Sequence, residues 1–171
     1  MSNKPRKIFR PCPLERKHPR RDFDCGSEPL NVWLRQYSSQ AAKKNSARTY
    51  VALDGDGRIA GFYTLVFGSV SWDEAPENIR REMPRHAVPV MILARLAVDK
   101  NYQGLGVGQS LLQDAVVRTV EASRIAGLKA ILVHAKDGDA AAYYSRYSFT
   151  PVPGQPLKLM VSLEEIRKAL P

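Results

Sequence analysis

The sequence predicts a mixed α/β domain, with helices covering both faces of a sheet. Three observations predict it. Segments with helical apolar spacing alternate with short β-branched and aromatic runs. One near-continuous apolar run, residues 88–98, reads as a central strand buried on both faces. That run leads straight into a glycine-rich turn and an amphipathic helix, the strand–turn–helix order of layered α/β proteins. A chain of 171 residues closes one substantial core and leaves little room for a second, so a single domain is expected over 1–171.

Each element has a local reason. Residues 1–22 are basic and rich in proline, with a first edge strand expected at residues 7–9. Ser27-Glu28-Pro29 supplies an N-cap, an acid and a proline for the first turn of a helix carrying Leu30, Trp33, Leu34 and Tyr37 on one face. The helix is expected to end at Lys43-Lys44-Asn45, where cations meet the negative end of the dipole. Residues 49–53 and 59–70 read as a β-hairpin around the Asp54-Gly55-Asp56-Gly57 turn. A proline-marked excursion with a short helix over 76–83 precedes the 88–98 strand, whose one charge is Arg95. The helix after the glycine turn should bury Leu111, Leu112, Ala115, Val116, Thr119 and Val120, with Gly127 as C-cap. A buried strand over 128–135, a short helix over 137–147 and strand material over 149–161, broken by Pro153-Gly154, complete the order.

With 44% hydrophobic and 25% charged residues, the balance is that of an ordinary globular protein rather than a disordered or fibrous one. No apolar run is long enough to span a bilayer and residues 1–10 lack a signal-peptide core, so a cytosolic protein with no membrane association is expected. Cys12 and Cys25 read as small buried hydrophobes, and His18, His86 and His134 are scattered, so no metal site is expected. Lys and Arg outnumber Asp and Glu by 26 to 17, a net charge of +9 that suits a polyanionic partner. The excess gathers in the first 21 residues, at Lys43, Lys44 and Arg48, and at Arg80, Arg81 and Arg85.

The chemistry centres on Gln103-Gly104-Leu105-Gly106-Val107-Gly108. A strand, a glycine turn and a helix N-terminus aim backbone N–H groups and a positive dipole end at one point, which attracts phosphates. A Walker A loop would need Gly-Lys-Ser/Thr where Gly108-Gln109-Ser110 stands. A dinucleotide fingerprint would need G-x-G-x-x-G and an acid about twenty residues on, where Arg124 and Gly127 lie. Both nucleotide readings fail, and a purely structural glycine turn stays open.

Leu96-Ala97-Val98 followed by Gln103-Gly104-Leu105-Gly106-Val107-Gly108 resembles the acetyl-CoA motif of the GNAT acetyltransferases, Q/R-x-x-G-x-G/A. The resemblance implies a mixed, mostly antiparallel sheet splayed beside the motif strand. It implies that Gln103, Gly104, Leu105, Gly106, Val107 and Gly108 bind the CoA pyrophosphate. It also implies that the backbone of Leu96, Ala97 and Val98 pairs with the pantetheine arm as an added strand. In many GNAT enzymes a tyrosine protonates the departing thiolate. Tyr143 and Tyr147 are four apart and share a helix face, so with Phe149 they read as core. Tyr144 points about 100° away and is free to reach the cleft. It also takes the tyrosine position of the family pattern A-x-F-Y-x-x-F-G-F, from which the chain departs at Tyr143, Tyr147 and Ser148.

Phe23-Asp24-Cys25-Gly26, Leu30-Asn31-x-Trp33-Leu34, Thr49-Tyr50-Val51, Leu93 through Asp99 and Val133-His134-Ala135 together resemble the TacT/KacT/AtaT group of GNAT toxins. That resemblance implies acetylation of the α-amino group of aminoacyl-tRNA, a homodimer, and neutralisation by a ribbon-helix-helix antitoxin. An α-amine beside an ester is a weaker base than a lysine, so no strong general base is needed, and the sequence offers no convincing one. Arg80, Arg81 and Arg85, just before the motif strand, are the expected tRNA contacts. Two alternatives stay open: a GNAT enzyme acting on a small amine or a protein amino group, and a non-catalytic tRNA- or CoA-binding module.

Overall fold

The computed structural model describes residues 7–81 and 83–169. Its strands are β1 (Cys12–Pro13), β2 (Arg48–Leu53), β3 (Ile59–Val70), β4 (Val88–Val98), β5 (Ala130–His134), β6 (Thr150–Val152) and β7 (Gln155–Ser162). Its α-helices are α1 (Glu28–Val32), α2 (Ser38–Lys43), α3 (Glu77–Arg80), α4 (Val107–Ala122), α5 (Gly138–Ser145) and α6 (Leu163–Ala169). The strands form a seven-stranded sheet in the order β1-β2-β3-β4-β5-β7-β6, the mixed α/β architecture expected. Described residues fall into two compact units, one ending at Leu65 and including Arg95–Ala115, the other comprising Val66–Ala94 and the residues from Val116 on.

In the first unit, β2 and β3 form the expected antiparallel hairpin, with Tyr50 opposite Tyr63 and Val51 opposite Phe62. Asp54 shapes its turn: Oδ1 accepts the amides of Asp56 and Arg58 at 2.9 Å each, and Tyr102 donates its hydroxyl proton to Oδ2. The edge strand lies later than expected. Cys12 and Pro13 pair with Val51 and Tyr50, whereas residues 7–9 contribute a single bridge from Ile8 to Asp54. Pro11 and Pro13 restrict the backbone on either side of Cys12, so the ladder is short. The helical stretch from Glu28 to Lys43 is not continuous α-helix, because Trp33–Tyr37 form a π-helical turn. Ser27 sits at the N-cap with extended backbone but makes no side-chain cap bond. At the other end Asn45 adopts φ 55°, and the amides of Asn45 and Ser46 donate to Ala42 and Ala41 in a Schellman closure. Phe23, Leu34, Val51, Ile59, Phe62 and Ala97 form the core here.

In the second unit, β4 and β5 pair in parallel from Val90↔Ala130 to Leu93↔Val133, and β7 runs antiparallel to β5. The β6–β7 hairpin turns at Gly154, whose φ is 76°. Val70, Ile79, Val88, Val90, Leu132, Val152 and Met160 pack together. Four details differ from expectation. The excursion helix is only α3, in which Pro76 O accepts the amides of Ile79 and Arg80. Val116 is half-buried. Helix α4 stops at Ala122, whose carbonyl accepts the Ile125 and Ala126 amides, and Gly127 does not take a left-handed cap. Helix α6 was not expected, although Ser162-Leu163-Glu164-Glu165 carries a capping-box signature. Ser162 Oγ indeed accepts the Glu165 amide at 3.0 Å, and Leu163 and Ile166 are buried.

Candidate active site

The β4–β5 ladder ends at Leu93↔Val133, yet β4 continues to Val98. Ala94 is exposed and Leu96 and Val98 are half-buried, so this end is not buried on both faces as the apolar run suggested. Apolar composition cannot distinguish a strand covered by protein from one whose edge is left for a ligand.

Beyond β4, a short 3₁₀ turn over Lys100–Tyr102 leads into the glycine loop. Gly104 and Gly106 have φ of 77° and 79°, the left-handed region that disfavours side chains. A Cβ on either would meet nothing within 4 Å. The first bond of α4 runs from the Ser110 amide to Gly106 O at 3.1 Å. The amides just before Ser110 therefore have no acceptor within the helix. Open space above left-handed glycines, with free amides at a helix N-terminus, is the geometry a pyrophosphate requires. The Gln103 side chain donates to Val98 O at 3.2 Å, tying loop to strand.

Two further devices hold this region, neither legible in the loop itself. Gly61 on β3 allows the close approach of α4 and β4: an added Cβ would lie 2.8 Å from Leu111 Cδ1 and 2.9 Å from Ala97 O. Asp99 and Asp24 link the loop to the start of the helical region. Buried Asp99 accepts the Asp24 amide through Oδ2 at 3.0 Å and the Asn101 amide through Oδ1 at 2.8 Å. Asp24 accepts from the Gly26 amide, from Asn31 Nδ2 and from Lys100 Nζ. Bonds from Gly26 first, then Asn31 and Lys100, hold its carboxyl down at about 2. The Phe23-Asp24-Cys25-Gly26 and Asn31 motifs thus have a physical role as a clasp on the loop.

Tyr144 lies in the second unit, on α5, whose N-cap Asp137 accepts the Ala140 amide. It is 8% exposed, and burial pushes its hydroxyl up to about 12. The expected division of the tyrosines is reversed in packing: Tyr144 is buried against Phe149 at 5.5 Å, while Tyr143 and Tyr147 are half-buried against each other at 5.3 Å. The reason is the turn after α5. Ser148 takes φ 70° where the family pattern has glycine, and the Phe149 amide returns to Tyr144 O, bringing the Phe149 ring onto Tyr144.

Arg80 and Arg85 both lie over the Trp72 ring, at 4.9 and 4.8 Å from its centroid. Arg81 is exposed beside them. Trp72 is itself fixed by its Nε1 donating to Met83 O at 3.3 Å. Of the N-terminal cations, Arg20 donates to Ser38 Oγ and Glu15 O at 3.1 Å each, and Arg10 reaches Asp114 at 3.4 Å, so neither side chain is loose. Among the described residues no cluster of His, Cys, Asp and Glu could hold a metal ion, and no helix is long and apolar enough to cross a membrane.

The acetyltransferase (GNAT) domain model matches residues 45–151. The chain belongs to the GNAT acetyltransferase family. This GNAT chain is 42% identical over 145 residues to a tRNA-acetylating toxin of Mycobacterium tuberculosis (strain ATCC 25618 / H37Rv), covering 85% of this chain and 86% of that one. It is 28% identical over 163 residues to a probable toxin TacT of Sinorhizobium fredii (strain NBRC 101917 / NGR234), covering 90% of each. Among solved structures it resembles a mutant of KacT at 26% identity, with a TM-score of 0.83 over 90% of this chain and 92% of that one. AtaT complexed with acetyl-methionyl-tRNAfMet shares the fold, with a TM-score of 0.88 at 24% identity over 95% of this chain and 99% of that one. The chain is thus an acetyl-CoA-dependent N-acetyltransferase of the TacT-like toxin branch.

Proposed function

We propose that this enzyme is the toxin of a toxin–antitoxin pair and transfers acetyl from acetyl-CoA to the α-amino group of aminoacyl-tRNA, blocking translation. The observation that carries the reading is the 42% identity, over most of both chains, to a protein named for acetylating tRNA. The net charge of +9 and the two arginines ordered on Trp72 support it. A small polycationic amine would be repelled by such a surface. Acting as a single domain, homodimerising, residing in the cytoplasm and being held by a ribbon-helix-helix antitoxin belong to the same proposal.

In this reading the amides of Gln103, Gly104, Leu105, Gly106, Val107 and Gly108 bind the pyrophosphate of acetyl-CoA. The backbone of Leu96, Ala97 and Val98 pairs with its pantetheine arm. When bound, acetyl-CoA supplies a thioester carbonyl for attack by the amine. Tyr144 gives its hydroxyl proton to the departing sulfur. Burial, which holds the phenol near 12, keeps that proton in place throughout the physiological range, while making Tyr144 a weaker acid than a free tyrosine. An α-amino ester is already partly unprotonated near neutral pH, so it attacks without a general base; the nitrogen then loses one proton to water, and water returns one to the Tyr144 phenolate, so that the proton count closes. Arg80, Arg81 and Arg85 contact tRNA phosphates.

The test is incubation of the purified chain with labelled acetyl-CoA and either charged tRNA, deacylated tRNA, a polyamine or a peptide. Label should pass to charged tRNA alone. Labelling of the peptide or polyamine with none on charged tRNA would replace the toxin reading with a general acetyltransferase.

A further inference from the structure

The π-helical turn Trp33–Tyr37 interrupts the helical stretch after Val32. Such turns carry an extra residue, re-aim side chains and recur at functional sites. Here the Arg95 guanidinium lies over the Trp33 ring, 3.4 Å from its centroid. The Tyr37 ring stacks beside Trp33 at 6.3 Å and 23°.

Structural needs alone do not explain this group. Arg95 is the one charged residue of β4 and is half-buried. Burial lowers its pKa, and among the described residues no carboxylate pairs with it. A half-buried cation without a counter-ion costs stability that an apolar residue there would not. The Trp33 Nε1–H is buried without an acceptor. Tyr37 leaves 51% of its surface exposed, although a large aromatic gains most when covered. Arg95 also directly precedes Leu96, where the pantetheine-pairing stretch begins.

A guanidinium with a free donor fork and an open aromatic face side by side match one ligand chemistry, the nucleotide. Its base stacks on an aromatic ring and its phosphate accepts from arginine. We propose that this group receives the 3′-terminal nucleotide of the tRNA acceptor end, so that the ester-linked amino acid reaches the end of β4. Arg95 and Tyr37 touch the nucleotide, and Trp33 is a positioning residue that holds the Arg95 guanidinium plane. The inference rests on the tRNA reading above and adds the part of the tRNA that the first unit grips.

The experiment is fluorescence anisotropy of the full chain with labelled deacylated tRNA, beside the same tRNA trimmed of its 3′-terminal adenosine, at fixed salt. The unaltered chain should bind intact tRNA about tenfold more tightly than trimmed tRNA, the scale of one stacked base. Arg95→Ala and Tyr37→Ala should bind the two tRNAs alike while still binding acetyl-CoA, and Tyr37, being exposed, can be truncated without risk to the core. Trp33→Phe, which keeps a ring beneath the guanidinium, should retain most of the preference, and Trp33→Ala should lose it. Absence of any preference in the unaltered chain, or a preference that survives in Arg95→Ala and Tyr37→Ala, overturns the inference and leaves the tRNA reading standing. Failure to bind either tRNA overturns both.

Discussion

A Cβ placed on Gly61 would stand 2.9 Å from the carbonyl oxygen of Ala97. That approach lets β3 pass against the end of β4 and under α4, where Leu111 and Val107 occupy the remaining space at 2.8 and 3.1 Å. Gly61→Ala should therefore destabilise the fold by about 1–3 kcal/mol, as overpacking does, despite the smaller unfolded-state entropy that alanine brings. It should also weaken acetyl-CoA binding by displacing Ala97. Thermal melts and calorimetry read the two effects, and a variant as stable as the original would refute the close packing at Gly61. Gly106→Glu acts differently: it has space but strains a left-handed residue and adds an anion to the cradle. It should remove acetyl-CoA binding from a folded protein.

Tyr144→Phe should keep fold and cofactor affinity and slow acetyl transfer by about 10²- to 10⁴-fold, the usual range for a general acid. Tyr143→Phe should do much less, and equal losses would show that the donor is not Tyr144. Because burial holds both hydroxyls at about 12, the tyrosine should not limit the rate as pH rises through the neutral and mildly alkaline range. Between the ordinary 10.0 and about 12 the unfolded chain has released protons that the native chain still holds, so stability falls across that interval.

The Asp24 carboxyl, held at about 2 against an ordinary 3.8, works in the opposite direction. Its contribution to stability is complete above the ordinary value and is lost as pH falls from there towards about 2. Asp24→Asn should lower stability at neutral pH and flatten the acid dependence within that window. Urea unfolding at neutral pH and at a pH inside the window measures both, and an unchanged acid dependence would mean the clasp is energetically idle.

Charge reversal at Arg80, Arg81 and Arg85 should weaken tRNA acetylation and reduce its salt dependence, by roughly one unit of slope for each phosphate no longer engaged. Acetyl-CoA affinity should not change. Trp72→Ala should reproduce part of the effect, because it removes the ring beneath both Arg80 and Arg85. Acetylation kinetics across a salt series decide it, and an unaltered slope in the triple variant would place the tRNA-binding surface elsewhere.

Elements whose cause is local could be read from the residues alone. The bounds of β3 and β4, the turn at Gly154 and the glycine loop follow from β-branched runs, turn residues and the need for positive φ at Gly104 and Gly106. The capping box that opens α6 is a short-range signal of the same kind, although no helix was expected there. The rest depends on contacts between residues distant in sequence. Asp24 and Asp99 meet across 75 residues, Gly61 is required by side chains on α4, and Arg95 of β4 meets Trp33, the first residue of the π-helical turn. Helix periodicity gave the relative directions of Tyr143 and Tyr144, but not which direction would be buried, because the turn at Ser148 set that by folding Phe149 back onto Tyr144. Periodicity records which residues share a face. What that face meets depends on chain reversals and packing partners distant in sequence, and these leave no periodic trace.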